Sequence, residues 1–491
     1  MTEHSTRLYN EDLAPAKERH WGTFSIVTMW MSTVHSLGGY AMAAGLFMLG
    51  LAAWQVLAAL LLGMAIACVL MTLSGFAGQR TGAPFPVLAR ISFGVFGGNL
   101  PAVVRGITGI AWYGIQTWLA SSALVVLAVQ IAPGLSPLTS GGFLGLSFLG
   151  WVSFAVMWFL QLLVVRRGME RIRKFQHWAG PTVWVVMLFL ALWIAFKTGG
   201  RVPWNFGTQN LSGGQSALLF FTGVSLTIAY VATLLLNFSD FSRFAPDRRS
   251  VRRGNFWGLM VNWLAFVLVV VFVTAGSIKV FGRAITNPVD LVAAINNPVI
   301  TIVGASTFMV ATIGINVVCN SVSPAYDVVN LMPKHIDFKR GALISAVIAF
   351  IILPWNLYSS AVAVNYFLGA IGAILGPLFG IMFVDYYMVR KQRVALDDLY
   401  SDSPSAAYYY HRGWNPRAVA ALIPSALVAI IAATVPTLHD VAAFSWPIGA
   451  VLAAGIYVLI AKDAGESRHE TRFSAPEEKF DLDHPRVLSS E

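Results

Sequence analysis

The segment TFSIVTMWMSTVHSLGGYAMAAGLFMLG, residues 23–50, decides the fold class of this chain. It contains no Asp, Glu, Lys or Arg, and it exceeds the roughly 20 apolar residues that a helix needs to cross a bilayer. Near its middle, Ser36-Leu37-Gly38-Gly39 places two adjacent glycines where the backbone is free to leave the helix. Backbone groups freed inside a bilayer must find partners, so this interruption predicts a helix that lines a cavity. Close helix packing is the other interpretation of such glycines.

Similar apolar segments recur along the chain. Of its 491 residues, 57% are hydrophobic and 11% are charged, whereas soluble domains carry about 25% charged residues. No polar linker separates domains between Trp21 and Lys462, which predicts a single membrane-embedded domain. The hydropathy pattern predicts an all-α polytopic membrane protein with twelve transmembrane helices, at 23–50, 54–76, 98–132, 143–165, 177–197, 214–239, 255–280, 298–324, 341–358, 360–389, 416–436 and 441–461.

The basic residues indicate the orientation. A net charge of +10 and a pI near 9.7 would suggest nucleic-acid binding in a soluble protein. With the N-terminus inside, however, 28 of the 33 Lys and Arg residues fall in inward-facing segments. Clusters such as Arg248, Arg249, Arg252 and Arg253 suit anionic headgroups, or serve as simple anchors. We expect a multi-pass protein of the inner (plasma) membrane, with both termini cytoplasmic and no nucleic-acid partner.

The interrupted first segment has a weaker counterpart five spans later. Residues 214–239 carry Gly223, Ser225, Thr227 and Tyr230 near their middle. This spacing predicts two five-helix repeats of inverted topology followed by two additional helices. The predicted divisions are a cytoplasmic N-terminal tail at 1–22, repeats at 23–200 and 201–393, the additional helices at 394–461 and a cytoplasmic C-terminal tail at 462–491.

Polar side chains near mid-membrane are candidate binding residues, because burying them in lipid is costly without a partner. Trp112 and Gln116 are four residues apart and share a helix face. An indole beside a carboxamide suits a planar ring with amide edges; a packed aromatic and an interhelical hydrogen bond are the other interpretations. Asn316 and Asn320 have the same spacing and the same alternative. His35 either relays protons or makes a structural hydrogen bond.

No sequence pattern indicates catalysis. The chain has no Walker motif, metal-ligand spacing or nucleophile elbow, and Cys68 and Cys319 lie far apart in apolar segments. We therefore expect no enzyme activity, no metal site and no cofactor apart from a coupling ion. Three carboxylates near inner helix ends are expected to pair with basic neighbours: Asp240 with Arg243, Asp327 with Lys334 and Asp385 with Arg390.

Short motifs between residues 10 and 400 resemble those of the nucleobase:cation symporter-1 family, whose members carry uracil, cytosine, allantoin, hydantoins and related rings. The order and spacing of the motifs carry the resemblance. They are NEDLAP at 10–15, AAGL at 43–46, PFPVLAR at 84–90, WYGIQTWL at 112–119, LNFSDFSRF at 236–244, SPAY at 323–326, GPLFGIM at 376–382 and DDLY at 397–400.

The resemblance implies a leucine-transporter-type fold, in which ten helices form the inverted repeat and the substrate binds where the first and sixth helices break. It implies that Trp112 stacks on the ring, that Gln116 and Asn320 bind its amide edges, and that Ser36 adds a polar contact. Many relatives have Gly-Gly-Trp in the sixth helix, where this chain has Ala229-Tyr230-Val231. Tyr230 therefore either reshapes or partly replaces a second stacking surface.

The resemblance also implies a cation site between the first and eighth helices. Its ligand positions match Ser32, His35, Ala311, Gly314 and Ile315. At the last two positions the family's sodium site has hydroxyl side chains. Sodium favours oxygen ligands, so their loss weakens a sodium site unless Thr312 turns inward. A proton is then favoured as the coupling ion, with His35 as its candidate carrier.

These expectations describe a secondary active transporter that imports a nucleobase or related heterocycle by cation symport and alternating access. A ligand-gated pore and a membrane-embedded enzyme acting on a lipid are the alternatives, and saturable uptake would exclude the pore. Uracil, allantoin and hydantoin share an imide-like edge, so the sequence does not choose among them, nor does it predict the oligomeric state.

Overall fold

The computed structural model describes residues 4–35, 37–47, 50–205, 208–357 and 361–461, with side chains throughout except at 37, 38, 41 and 361–368. Helices make up most of this part of the chain, together with two isolated β-bridges. Ser36 and the predicted C-terminal tail at 462–491 lie outside the described residues.

The helices follow in chain order. The first half contains α1 (Thr23–Val34), α2 (Leu37–Leu46), α3 (Ala53–Thr81), α4 (Phe85–Phe93), α5 (Asn99–Ile131), α6 (Phe148–Val165) and α7 (Met169–Thr198). Then come α8 (Gly213–Tyr230), α9 (Ala232–Asn237), α10 (Ser239–Ser242), α11 (Arg248–Asn255), α12 (Asn262–Phe281), α13 (Pro288–Ala294), α14 (Pro298–Val317), α15 (Ser323–Leu331), α16 (Phe338–Ile351) and α17 (Ala361–Val384). The chain continues with α18 (Pro416–Thr434), α19 (His439–Ala442) and α20 (Ser445–Ala461).

Tighter and wider helical turns complete these elements. A π-helical turn joins α11 to α12 at Phe256–Val261, another joins α14 to α15 at Val318–Val322, and a third extends α17 at Asp385–Val389. Short 3₁₀ helices lie at Pro133–Thr139, Pro354–Leu357, Asp397–Tyr400 and Pro436–Leu438.

Each of the twelve predicted segments coincides with a helix or with consecutive helices. Within the described ranges, eight helices are long and apolar enough to cross a bilayer, or nine if the bent pair Pro436–Ala442 and Ser445–Ala461 is one span. The other predicted segments are broken or shorter, and the count of twelve stays a prediction.

The first predicted span is interrupted, but not at its glycines. α1 ends at Val34, His35 has left the helical conformation, and α2 begins at Leu37. Gly38 and Gly39 therefore lie inside α2, and their assignment to the break is wrong. The sixth predicted span is also divided, because α8 ends just before Val231 and α9 begins just after it.

Two short helices, α4 and α13, were not predicted. Every residue of α4 is buried, including Arg90, whose guanidinium donates to the main-chain carbonyls of Leu8 and Leu399. Helices of this length lie below the length of a bilayer span, so a search for long apolar segments does not detect them.

The helices pack around α5, which contacts α6, α14, α15 and α16. α1 packs against α7, α11 and α14, and α3 packs against α8, while α17, α18 and α20 pack on one another. Small residues permit the closest approaches: a Cβ on Gly180 would lie 2.8 Å from the carbonyl oxygen of Thr28, and one on Gly63 would lie 2.6 Å from that of Val224.

The segment expected as an N-terminal tail is packed on one end of the bundle. The Asn10 side chain donates to the carbonyls of Pro333 and Ile336. The amide of Trp21 donates to the carbonyl of Phe244. Residues 4–21 thus connect loops that carry many of the basic residues.

Candidate functional site

One face of α5 carries an aromatic ring and a buried amide. Trp112 is half-buried, and Gln116, one turn later, is 4% exposed. Among the described residues, no hydrogen-bond donor reaches the Oε1 atom of Gln116. A buried oxygen without a donor costs about 1–3 kcal/mol, and an N–H group of a bound ring would remove that cost. The two residues predicted to bind a ring therefore lie on one interior helix face.

The π turn at Val318–Val322 lies against α5 and carries Asn320. The Nδ2 of Asn320 donates to the Oδ1 of Asn316 at 2.9 Å. Asn316 in turn donates to the carbonyl of Tyr113 at 2.9 Å and to the Oε1 of Gln161 on α6. Asn316 thus takes the interhelical role that the sequence left open, and it places Asn320 one side chain away from the turn of α5 that carries the indole.

Aromatic rings connect the two helix breaks. The His35 ring lies edge-on to Trp184, with centroids 4.8 Å apart, and 5.0 Å from Phe266 on α12. Phe266 lies 6.0 Å from Trp263, which lies 5.8 Å from Tyr230 at the end of α8. The ring of Tyr230 therefore packs on α12, and a continuous row of rings runs from one break to the other.

Two of the residues expected at the cation site, Ser32 and Gly314, lie close together where α1 approaches α14. A Cβ on Gly314 would lie 3.2 Å from the Cβ of Ser32, while Ala311 and Ile315 are buried on the same helix. The hydroxyl of Ser32 donates to the carbonyl of Thr28 within its own helix. His35 follows the last residue of α1.

A side chain from α7, Gln176, lies against Gly314, one of the two positions where the hydroxyl side chains are missing. The Nε2 of Gln176 donates to the Gly314 carbonyl at 2.9 Å. Its Oε1 would lie 3.7 Å from a Cβ on Gly314 and, within the described part of the chain, has no donor. The hydroxyl of Thr312 donates to the carbonyl of Phe308 in its own helix. The additional oxygen near this position is therefore the amide oxygen of Gln176.

Two of the three expected ion pairs at inner helix ends can be decided from hydrogen bonds. Asp385 pairs with Arg390, at 3.1 Å between Oδ2 and Nε, which confirms that prediction. Asp240 instead accepts from the main-chain amide of Phe85 at 2.7 Å, and Arg243 donates to carbonyls of the N-terminal segment. The pairing of Asp240 with Arg243 is wrong, because packing against the loop before α4 brings a main-chain donor closer.

Asp327 is the most unusual of these carboxylates. It is 1% exposed, and neither of its oxygens has a hydrogen-bond donor among the residues that the structure describes. The fully buried guanidinium of Arg105 on α5, not Lys334, supplies its electrostatic attraction. Arg105 donates through Nη2 to the carbonyl of Cys319 at 2.6 Å. The predicted pair with Lys334 is therefore wrong, since the helix contact brings in a cation more than 200 residues away in the chain.

Gln176 and the role of Arg105 were missed by the sequence reasoning. Gln176 stands one residue before the predicted span at 177–197, so it was not considered among intramembrane polar residues. Arg105 carried a signal that went unused, because a basic residue inside an apolar span is costly unless it has a partner. Ser36, the remaining predicted contact, lies outside the described residues.

Comparison with known proteins agrees with this architecture. Residues 14–449 match the family described as permease for cytosine/purines, uracil, thiamine, allantoin. The allantoin permease of Bacillus subtilis (strain 168) is 38% identical over 466 residues, which cover 94% of each chain. The purine-uracil permease NCS1 of Arabidopsis thaliana is 35% identical over 441 residues, 89% of this chain and 73% of the relative.

A solved structure shows the same fold. Mhp1, a nucleobase-cation-symport-1 family transporter in a closed conformation with bromovinylhydantoin bound, matches with a TM-score of 0.75 at 24% identity, over 94% of this chain and 96% of Mhp1. The relatives are permeases, in agreement with the prediction that the chain is not an enzyme. The chain belongs to the nucleobase:cation symporter-1 family of membrane transporters, as the resemblance of its motifs predicted.

Proposed function

We propose that the chain imports a heterocycle with amide or imide edges by cation symport and alternating access. The observation that carries the proposal is the buried Oε1 of Gln116, which has no donor among the described residues, beside the half-buried indole of Trp112. In this arrangement Trp112 stacks on the ring, Gln116 accepts from a ring N–H, and Asn320 binds the opposite edge. Allantoin is the first candidate, because the B. subtilis allantoin permease is similar over nearly its whole length. Ser36 and Tyr230 remain proposed secondary contacts.

Alternating access by two inverted five-helix repeats is supported by the helix contacts. Exchanging the two sets replaces α1–α2 by α8–α9, α3 by α11–α12, α5 by α14–α15, α6 by α16 and α7 by α17. Under this exchange the α5–α6 contact becomes α15–α16, and the α5–α16 contact becomes α14–α6. The α7–α14 contact becomes α17–α5, and the α1–α11 contact becomes α8–α3. Each of these pairs is in contact. With α18 and α20, the proposal has twelve spans.

The proposed coupling ion is a proton, and Asp327 supports this better than His35 does. His35 lies among aromatic rings, and its two nitrogens have no partner in the described part of the chain. Asp327 is attracted by the charge of Arg105, which also donates to the carbonyl of Cys319, the residue before Asn320. The negative charge of Asp240 also repels that of the Asp327 carboxylate. Protonation of Asp327 would release its attraction on Arg105, and that change would reach the turn that carries Asn320.

The proposed location is the inner (plasma) membrane, with both termini in the cytoplasm. The packing of residues 4–21 across basic loops supports it, because basic loops face the cytoplasm in most membrane proteins. Tags placed before Asn10 and after the last residue should both be protected from protease in right-side-out vesicles.

Transport by the purified protein in liposomes tests the proposal. Allantoin, uracil, cytosine, hydantoin and a purine are offered under an imposed pH gradient without sodium, and under a sodium gradient without a pH difference. We expect saturable uptake of at least one ring, with an affinity that falls about five- to a hundred-fold in Gln116→Ala. Gln130→Ala removes the same group from α5 more than three turns away and should transport normally. Non-saturable flux, or equal affinity in both variants, would contradict the proposed site.

A further inference from the structure

A cleft lies apart from the proposed transport site, between α3, α4, α9–α10 and the end of α17. It is narrow and partly open to the outside, and the centre of a water-sized sphere can occupy about 50 Å³ of it. Most of its wall is apolar, with a few serines and tyrosines. Its walls include Leu73, Ala77, Leu236, Phe383, Tyr386 and Tyr387.

The cleft adjoins an exposed apolar surface of α3. Leu62, Ile66 and Val69 form an exposed apolar stripe on α3, and Val69 is 59% exposed. Four residues after Val69 on the same helix, Leu73 enters the wall of the cleft. Met388, beside Tyr387 on the opposite wall, is also 59% exposed. An acyl chain lying along α3 could therefore pass directly into the cleft.

Two cationic side chains, Arg80 and Arg248, lie near Tyr386, which forms part of the cleft wall. Arg80, near the end of α3, donates to the carbonyl of Gln392 at 3.0 Å. Arg248 donates to the Oε1 of the same residue at 3.1 Å and lies 4.8 Å above the ring of Phe76. Gln392 follows the π turn that carries Tyr386 and Tyr387, because its amide donates to the carbonyl of Tyr386. Two guanidinium groups thus converge on the turn that forms one wall.

The local charge balance is strongly positive. Arg80 together with residues 246–253 and 391–393 contributes seven basic side chains and one acidic side chain, Asp247. The carboxylate of Asp247 accepts from the amide of Ser250 at the start of α11. An anionic group is therefore favoured near Arg80 and Arg248, and an apolar chain is favoured in the cleft.

We infer that this cleft binds one anionic phospholipid, with its phosphate at Arg80 and Arg248 and an acyl chain along Leu73, Ala77 and Phe383. A soluble anion would leave the apolar wall uncovered. A zwitterionic lipid would bring a second cation into a basic surface. The site is independent of the ring-binding face of α5, so it stands whether or not the proposed substrate is correct.

Native mass spectrometry of the full-length protein tests this site, using phosphatidylglycerol and phosphatidylcholine with identical acyl chains. We expect phosphatidylglycerol to be retained more strongly. The double variant Arg80→Gln with Arg248→Gln should weaken its binding about fivefold per arginine, roughly 25-fold in all. The matched control Arg166→Gln with Arg167→Gln removes two exposed arginines from another loop and should change binding less than about twofold.

A second variant separates the cleft from general surface charge. Ala77→Phe leaves every charge in place and fills part of the apolar cleft, so it should weaken phosphatidylglycerol binding. Glycerophosphate, which lacks acyl chains, should fail to compete with phosphatidylglycerol for the unmodified protein. Equal losses in the two arginine pairs would reduce the site to nonspecific attraction and overturn the inference. Equal retention of the two lipids, or full competition by glycerophosphate, would overturn it as well.

Discussion

α5 and the α14–α15 pair meet at two levels that are built from different chemistry. At one level, neutral amides face each other, and Asn316 satisfies its donors through Tyr113 and Gln161 while Asn320 donates to Asn316. At the other level, Arg105 and Asp327 are buried charges that lack most of their hydrogen bonds among the described residues. Amides hold a polar ring in a bilayer at modest cost, whereas charges at that depth are rare and typical of ion pathways. In the proposed mechanism, the first level therefore binds the substrate and the second couples transport to the ion.

The largest expected effect comes from the charged level. Asp327→Asn keeps the shape of the side chain but replaces a carboxylate, which can take up a proton, by a neutral amide, which cannot. We therefore expect this variant to lose the accumulation of substrate that a pH gradient drives. Exchange of labelled for unlabelled substrate, which needs no net coupling, should continue. Asp290→Asn removes an exposed carboxylate on α13 and serves as the control. Full accumulation of substrate by Asp327→Asn would contradict this role of Asp327. It would point to His35 as the proton carrier or to sodium as the coupling ion.

At the amide level, loss of the stacking surface should weaken binding without affecting coupling. Stacking of a ring on an aromatic side chain contributes about 1–3 kcal/mol, so Trp112→Ala should raise the KM about five- to a hundred-fold. Trp112→Phe retains part of the stacking surface, so its KM should lie between those of the unmodified protein and Trp112→Ala. Equal KM values for the three proteins would mean that the indole serves helix packing alone.

The two asparagines of the amide level should separate in their effects. Asn316→Ala removes donors to two other helices and should lower the free energy of unfolding by about 1–3 kcal/mol. Asn320→Ala should leave the melting temperature nearly unchanged and weaken substrate binding about five- to tenfold. Thermal unfolding in detergent and a binding titration measure the two effects. A shared loss of stability would make Asn320 a structural residue too.

The smallest expected effect concerns the sodium-type position between α1 and α14. Gly314→Ser with Ile315→Thr adds two hydroxyl oxygens, so we expect sodium to stimulate uptake in this variant and not in the parent. Gly314→Ala adds the same Cβ, 3.2 Å from that of Ser32, without an oxygen. Sodium-dependent uptake by the unmodified protein would instead point to the amide oxygen of Gln176 as a ligand.

Features formed by residues close together in the sequence could be predicted, whereas features formed by distant residues could not. The helices followed from apolar segments of bilayer length, and the family followed from motifs such as WYGIQTWL. The pairing of Asp385 with Arg390 was also local and correct. Asp240 and Asp327 were assigned to neighbours in sequence, but their surroundings are set by α4 and α5. Contacts of that kind depend on helix packing, which a single sequence does not encode in any short pattern.

The first helix break shows the same limit on a smaller scale. Glycines permit a helix to end, but they do not require it, and Gly38 and Gly39 remain helical in α2. The break adjoins His35, where the ring packs against Trp184 and Phe266. Gln176 was missed for a related reason, because a span boundary drawn from hydropathy is uncertain by several residues.

The row of rings from His35 through Phe266 and Trp263 to Tyr230 would affect the timing of the proposed transport cycle. Rings in contact within a dense interior resist compression, so a rotation at one helix break displaces the ring next to it. The two hinges would then turn in a single concerted step rather than one after the other. A change of ring size at Phe266 would accordingly alter the turnover rate and leave the affinity for the substrate unchanged.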